Sequence, residues 1–216
     1  MSKANRIERL RAAMAERDLD AFLISSSENR TYYSGFRGSA GYLWITATDA
    51  LLATDFRYTE QAAIQATDYR VIRIAGGLDW FEEALSDSGA RRIGIEDSAM
   101  TVSFFNALKG KLEARNPVPE LVTTEGIASQ LRAVKEPAEL EVIQRAIDLA
   151  DGAMEEVAAQ LKPGLTEREI AWMLEKSMRE SGADALSFDT IVASGPNGAK
   201  AHHHPSDRKV EVGDGI

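Results

Sequence analysis

The segment Tyr42-Leu-Trp-Ile-Thr-Ala-Thr-Asp-Ala-Leu-Leu-Ala53 decides the fold of the first half of the chain. Its two apolar runs flank the polar pair Thr48-Asp49, a pattern that predicts a β-hairpin. Outside the hairpin, strand-type runs alternate with helical patterns. Strands are predicted at residues 20–25, 69–74 and 92–96, and helices at residues 7–14, 56–65, 80–85 and 102–112. This alternation predicts an α/β sandwich, and the antiparallel hairpin makes its sheet mixed.

The chain changes character near residue 131, so we predict one domain over residues 1–131 and a second over residues 132–216. Pro117 and Pro119 interrupt the chain before this boundary, and Pro137 suits the first turn of a helix after it. The helix that follows carries an apolar stripe with steps of three and four: Leu140, Ile143, Ile147, Ala150, Met154, Val157 and Leu161. A coiled coil is one interpretation, but three heptads without complementary flanking charges favour a helix that lies on a sheet.

A second helix of this part begins with clear signals. Thr166 and Glu169 have the spacing of a capping box, and Gly182 ends the helical pattern. A strand is predicted over residues 189–194. The second part therefore opens helix–helix–strand, and its Asp and Glu pairs are interpreted as solvated helix faces.

Composition excludes several classes of function. The 216 residues carry a net charge of −9, which disfavours nucleic acid, because a phosphate backbone requires a basic surface. The absence of cysteine excludes disulfides and thiolate metal sites and suits a reducing cytoplasm. The first residues are charged and lack the apolar core of a secretory signal, and no apolar run is long enough to span a bilayer. We expect a soluble cytoplasmic protein with neither a nucleic-acid nor a membrane partner.

All three histidines lie in one loop, His202-His203-His204, shortly after the turn Ser194-Gly-Pro-Asn-Gly198. Three interpretations stay open for the loop: a solvated run, a metal site, or one histidine acting as proton donor or oxyanion partner. Adjacent residues rarely converge on one metal, which disfavours the second. The pKa of free imidazole near 6.5 suits the third. The preceding turn lacks the Lys-Ser/Thr of a phosphate loop and is interpreted as a sharp glycine turn.

In the first domain, residues 29–41 combine three aromatic residues with small residues and two arginines, and residues 55–58 read Asp-Phe-Arg-Tyr. Ordinary aromatic anchoring of a loop is one interpretation. The other is a pocket rim or interface, where Tyr and Arg are enriched.

Three blocks of the sequence carry a resemblance to a known family. The first comprises residues 28–41 with residues 54–61, the second residues 131–140 with residues 162–171, and the third residues 188–197 with His202-x-x-Pro205-x-Asp207-Arg208. In order and spacing these blocks resemble the proline-specific pita-bread metallopeptidases, the group of Xaa-Pro aminopeptidases and Xaa-Pro dipeptidases (prolidases) related to creatinase. The resemblance covers nearly the whole chain.

The resemblance implies a creatinase-like N-terminal domain followed by the first, incomplete part of an α+β pita-bread catalytic domain. It implies a hydrolase with two divalent metal ions, Mn, Co or Zn, that acts on peptides with proline at the second position. His202 is similar in position to the family's substrate-side histidine, which stabilises the tetrahedral intermediate and is not a metal ligand. Phe188, Ile191 and Asn197 are candidate substrate-binding residues beside it.

The family's five metal ligands, two Asp, one His and two Glu, have no counterpart among these 216 residues, so no metal-ligating residue is assigned. We expect the chain alone to be inactive and to be a fragment of an enzyme. A non-catalytic dimerisation or peptide-binding module and a creatinase-like C–N hydrolase are the alternatives. Family analogy further implies a homodimer.

Overall fold

The computed structural model describes residues 3–216 and divides the chain between two compact units, Met1–Lys135 and Glu136–Ile216. The first unit contains helices, strands and a short 3₁₀ turn, Phe56–Tyr58. In chain order the helices and strands are α1 (Lys3–Ala15), β1 (Ala21–Ile24), α2 (Ser27–Ser34), β2 (Tyr42–Thr46), β3 (Ala50–Thr54), α3 (Thr59–Gln65), β4 (Arg70–Arg73), α4 (Asp79–Ser88), β5 (Arg92–Glu96), α5 (Val102–Glu113), β6 (Glu120–Thr124) and, last, α6 (Ile127–Ala133).

The strands form one six-stranded sheet in the order β4-β3-β2-β1-β5-β6. The strand β2 is antiparallel to both β1 and β3, and the other neighbouring pairs are parallel. The hairpin predicted at residues 42–53 is therefore confirmed, and with it the mixed sheet. The carboxyl ends of β1, β3, β4, β5 and β6 consequently meet at one edge, where polar residues that follow these strands come together.

Alternation along the strands gives the sheet two apolar faces. Phe22 and Ile24 of β1 face a core that includes residues of α1, α2, α3 and α6, whereas Leu23 faces a second core with α4 and α5. Successive strand residues point to opposite faces, so this alternation places helices on both sides of the sheet. The predicted α/β sandwich is confirmed as a three-layer arrangement.

The structure corrects the interpretation of residues 29–41 as a loop. Ser26 caps α2 by accepting a hydrogen bond from the Asn29 amide, and Gly35 ends the helix in the left-handed conformation with φ 77°. Serine at an N-cap and glycine after the last turn are strong helix boundaries. Arg30 is buried here, and its guanidinium donates to the carbonyls of Gly38 and Gly41, which fixes the rest of the segment.

The second unit opens with α7 (Pro137–Ala158) and α8 (Glu167–Glu180), followed by the 3₁₀ turn Gly195–Ala199. Pro137 begins α7 as predicted, and a capping box joins Glu136 and Glu139. Gly182 follows α8 with φ 103°. None of the helices in the described part of the chain is long and apolar enough to cross a membrane.

Two predictions for the second unit are wrong. Residues 189–194 form no strand. A strand needs a neighbouring segment to pair with through backbone hydrogen bonds, and the isolated β-bridge within residues 136–216 joins Thr166 to Lys209 instead. The stripe of α7 does not lie on a sheet: Leu140, Ile147 and Met154 are exposed, whereas Val157 packs with Ile170 of α8.

Candidate functional site

A fully buried carboxylate organises the second unit. Glu167 is the first residue of α8, directly after the N-cap Thr166. Thr166 and Glu169 form the predicted capping box: the Thr166 hydroxyl accepts from the Glu169 amide, and the Glu169 carboxylate accepts from the Thr166 amide. This cap fixes the start of the helix. A negative charge at this position is also favoured by the helix dipole.

Six donors converge on the two oxygens of Glu167. Its Oε1 accepts from the amide and hydroxyl of Ser194, at 2.8 and 2.9 Å, and from Asn197 Nδ2 at 2.9 Å. Its Oε2 accepts from His203 Nε2 at 2.7 Å and from the amide and hydroxyl of Ser206, at 3.0 and 2.6 Å. The side chain of Glu167 is 0% exposed. One carboxylate thus ties the start of α8 to the glycine turn and to the histidine loop.

The hydrogen bonds decide the charge of Glu167. Burial alone raises the pKa of a carboxyl group, because it disfavours the charged form. The hydrogen bonds from Ser206, Asn197, His203 and the Ser194 amide outweigh burial and hold the pKa of Glu167 far below its usual range. Glu167 is therefore a permanent anion at physiological pH, and it accepts hydrogen bonds without donating any.

The contact with Glu167 fixes the protonation of one histidine nitrogen. Since an ionised carboxylate only accepts, the short contact requires a proton on His203 Nε2. In neutral His203 the lone pair then lies on Nδ1. His203 is almost buried, whereas His202 and His204 on either side of it are exposed.

Arg208 extends the polar centre beyond Glu167. Its guanidinium donates to both oxygens of Asp214, at 2.6 and 3.1 Å, and to the Ser194 hydroxyl at 2.7 Å. Gly195 reaches this ion pair in the left-handed conformation, with φ 51°. The predicted sharp glycine turn at residues 194–198 is present as a 3₁₀ turn that presses its backbone against the Arg208–Asp214 pair.

The residues predicted to bind substrate lie in two separate places. Asn197 belongs to the Glu167 centre, which consists of Glu167 and its donors Ser194, Asn197, His203 and Ser206. The Asn197 Oδ1 also accepts from Lys200. Phe188 and Ile191, 72% and 47% exposed, line an apolar groove of about 880 Å³ between α7, α8 and residues 182–191. His202 is not among the residues that line this groove. The structure therefore brings Asn197 close to the histidine loop but does not join Phe188 and Ile191 to it.

Sequence reasoning missed the central residue. The interpretation of the helix carboxylates as solvated faces is wrong for Glu167, which is buried and contacts His203. Nothing in the spacing reveals Glu167, since its donors Ser194, Asn197, His203 and Ser206 come from a segment 27 to 39 residues away. The one usable signal is the position of Glu167 at the start of a clearly capped helix, where carboxylates are favoured.

A metal centre does not fit the residues that the structure describes. Within residues 3–216 there is no group of three or more His, Asp or Glu side chains arranged to hold an ion. Glu167, the buried carboxylate nearest to the histidines, already has both oxygens occupied by hydrogen bonds.

The first unit contains a second buried carboxylate, at the carboxyl edge of its sheet. Glu96 ends β5, and its Oε2 accepts from the amides of Ser25 and Ser26 at 2.6 and 2.7 Å. The Ser25 hydroxyl also donates to Oε2, whereas the Ser26 hydroxyl and Asn29 Nδ2 donate to Oε1. Arg132 in turn donates to Asn29 Oδ1 at 2.8 Å. A cavity of about 300 Å³ lies beside these residues. The amides that end β1 are thus satisfied from within the chain, by Glu96 rather than by a ligand.

Both units match known families. Residues 6–134 match the creatinase/prolidase N-terminal domain, and residues 141–216 match metallopeptidase family M24. The chain belongs to the pita-bread Xaa-Pro peptidase family. The family and the α/β fold class expected from the sequence are thereby confirmed.

Two solved structures resemble the chain across both units. An Xaa-Pro dipeptidase from Bacillus anthracis is 36% identical and has a TM-score of 0.90, over 99% of this chain and 59% of that one. An X-Pro aminopeptidase from Thermotoga maritima is 35% identical with a TM-score of 0.84, over 96% of this chain and 58% of that one. Among curated relatives, the uncharacterized peptidase YqhT of Bacillus subtilis is 35% identical over 97% of this chain and 58% of its own length. The chain therefore spans somewhat over half the length of these relatives.

Proposed function

We propose that the whole protein hydrolyses Xaa-Pro peptide bonds in a metal-dependent reaction of the aminopeptidase P or prolidase type. The observation that carries this proposal is the likeness to the Bacillus anthracis Xaa-Pro dipeptidase, which extends over both units at a TM-score of 0.90. The substrate is a peptide or dipeptide with proline at the second position.

In this proposal His202 is the catalytic residue of the chain and also contacts the substrate. It is exposed, while its neighbour His203 is held by Glu167. An imidazole N–H that donates to a developing oxyanion stabilises a tetrahedral intermediate, which is a large term in acyl transfer. Asn197, Phe188 and Ile191 are proposed as substrate-binding residues, and the exposed apolar side chains of the last two suit a prolyl ring.

The metal requirement is proposed from the family alone. Two divalent ions, Mn, Co or Zn, would polarise the scissile carbonyl and supply a hydroxide. Because residues 3–216 hold no suitable ligand group, we propose that the ligands belong to a part of the protein outside these residues, and that the 216-residue chain is inactive by itself. A cytoplasmic location is proposed from the absence of cysteine, which suits a reducing compartment, and a homodimer is proposed by family analogy.

The decisive assay uses the protein expressed from its complete gene, with Mn, Co and Zn tested separately. We expect release of the first residue from an Xaa-Pro dipeptide, an Xaa-Pro-Yaa tripeptide or both, and this ratio separates prolidase from aminopeptidase P. Hydrolysis of creatine instead would support the C–N hydrolase alternative. Saturable peptide binding without turnover would support the non-catalytic module. Turnover by the 216-residue chain itself would contradict the proposed location of the metal ligands.

A further inference from the structure

The histidine loop is anchored through one residue. His203 is the only histidine of the described chain that contacts Glu167, and the contact joins its Nε2 to Oε2 over 2.7 Å. Three residues farther along, Ser206 donates to the same oxygen with its amide and its hydroxyl. The segment between these two anchors is His204-Pro205 alone. Its conformation, and that of His202 immediately before it, is therefore set by the position of one carboxylate.

Glu167 is itself held firmly in place. It begins α8 behind a capping box, and its other oxygen is bound by Ser194 and Asn197 of the glycine turn. A buried acceptor with every lone-pair direction in use has little freedom to rotate. A histidine whose ring nitrogen is bound to such an acceptor has both its tautomer and its ring plane fixed, as in other carboxylate–histidine pairs.

We propose that Glu167 is a positioning residue, which fixes the Nε2–H form of His203 and thereby the loop from which His202 reaches the substrate. The second half of this statement rests on the proposed function, whereas the first half is a property of the chain by itself. Glu167 touches no substrate in this scheme. It acts on the reaction indirectly, through His203 and the histidine loop that carries His202.

The first half is tested by ¹⁵N NMR of the imidazole rings in the 216-residue chain. We expect His203 to be protonated at Nε2 when neutral, with slow exchange of that proton. Glu167→Gln should change the tautomer population and speed the exchange at least about tenfold, because the amide is a weaker acceptor than the ionised carboxylate. The matched control is Glu169→Gln, which removes the same charge two residues away and keeps the capping box.

A second variant is needed because Glu167→Gln also lowers the stability of the whole second unit. His203→Ala leaves the other five donors to Glu167 in place and should shift the resonances of His202. An unchanged His203 tautomer in Glu167→Gln, or an unmoved His202 in His203→Ala, would overturn the proposal.

The second half is tested by kinetics of the protein expressed from its complete gene. Glu167→Gln and His203→Ala should each lower kcat about tenfold or more with a smaller change in KM, since orientation acts on the reacting geometry. In a His202→Ala background neither substitution should lower kcat further, because the effects of substitutions in groups that act as a unit are not additive. Full additivity would show that Glu167 acts on stability alone. If the wild-type protein hydrolyses no Xaa-Pro peptide, the proposed function fails, and the NMR result still decides the anchoring of the loop.

Discussion

Gly195 lies so close to Asp214 that a Cβ on Gly195 would stand 2.5 Å from Asp214 Oδ1. The same Cβ would lie 2.7 Å from Arg208 Nη2. Asp214 and Arg208 form the bidentate pair that also holds the Ser194 hydroxyl. The glycine turn and the ion pair are therefore packed against each other, and neither can shift without moving the donors of Glu167.

We expect Gly195→Ala to destabilise the second unit by about 2 kcal/mol or more, because the left-handed backbone costs about 1 kcal/mol for an L-residue and the added methyl group displaces the ion pair. Gly198→Ala is the matched control, three residues away, because a methyl group there would meet no atom within 4 Å and the backbone has no positive φ. Urea denaturation, together with hydrogen exchange of the Ser194 amide, measures both variants. Equal stability of the two would contradict this account of the turn.

We expect loss of the Glu96 carboxylate to cost the first unit several kcal/mol. Glu96→Ala leaves the amides of Ser25 and Ser26 without their acceptor, and each buried unsatisfied donor costs about 1–3 kcal/mol. Asp97→Ala is the control, because this neighbouring carboxylate is exposed. Its effect should stay within about 0.5 kcal/mol. A denaturation midpoint for Glu96→Ala that matches the control would mean that solvent replaces the carboxylate at no cost.

The sequence predicts the first unit better than the second, and the reason is physical. The strands of the sheet contain apolar residues in runs or alternation of strand length between turn residues, so β1 to β5 are found from pattern alone. The short helix α2 is missed because its buried face consists of Asn29, Arg30, Tyr32 and Tyr33 rather than aliphatic residues. The Glu167 centre is missed because its contacts join residues far apart in the chain, and no local pattern records such contacts. The family motif predicts a substrate-side role for His202, and the structure shows that its neighbour His203 contacts Glu167.

The pKa of Glu167 predicts how the second unit responds to acid. Its folded-state pKa lies far below the unfolded value near 4.5, so the hydrogen-bonded carboxylate stabilises the folded form. That contribution is fully present above about pH 4.5 and is lost progressively as the pH falls toward the folded-state pKa. We expect the amides of Ser194 and Ser206 to lose protection from hydrogen exchange progressively as the pH falls below about 4.5.

The control for this pH dependence is a second carboxylate of the same unit. In Glu167→Gln the pH dependence should become weaker, whereas the exposed control Asp151→Asn should retain it in full. If protection from hydrogen exchange falls equally steeply with pH in wild type and in Glu167→Gln, Glu167 is excluded as the source of the pH dependence.

The last prediction separates the three adjacent histidines by function. In the protein expressed from its complete gene, His202→Ala should lower kcat for an Xaa-Pro substrate by about two to three orders of magnitude, as for loss of an oxyanion donor. His204→Ala should leave kcat within about twofold, because His204 is also exposed but belongs neither to the Glu167 centre nor to the proposed substrate contacts. The measurement is steady-state kinetics with the metal held constant, together with circular dichroism to verify folding. Near-normal turnover in His202→Ala would remove this residue from the mechanism, and a large loss in His204→Ala would show that the wrong histidine has been assigned.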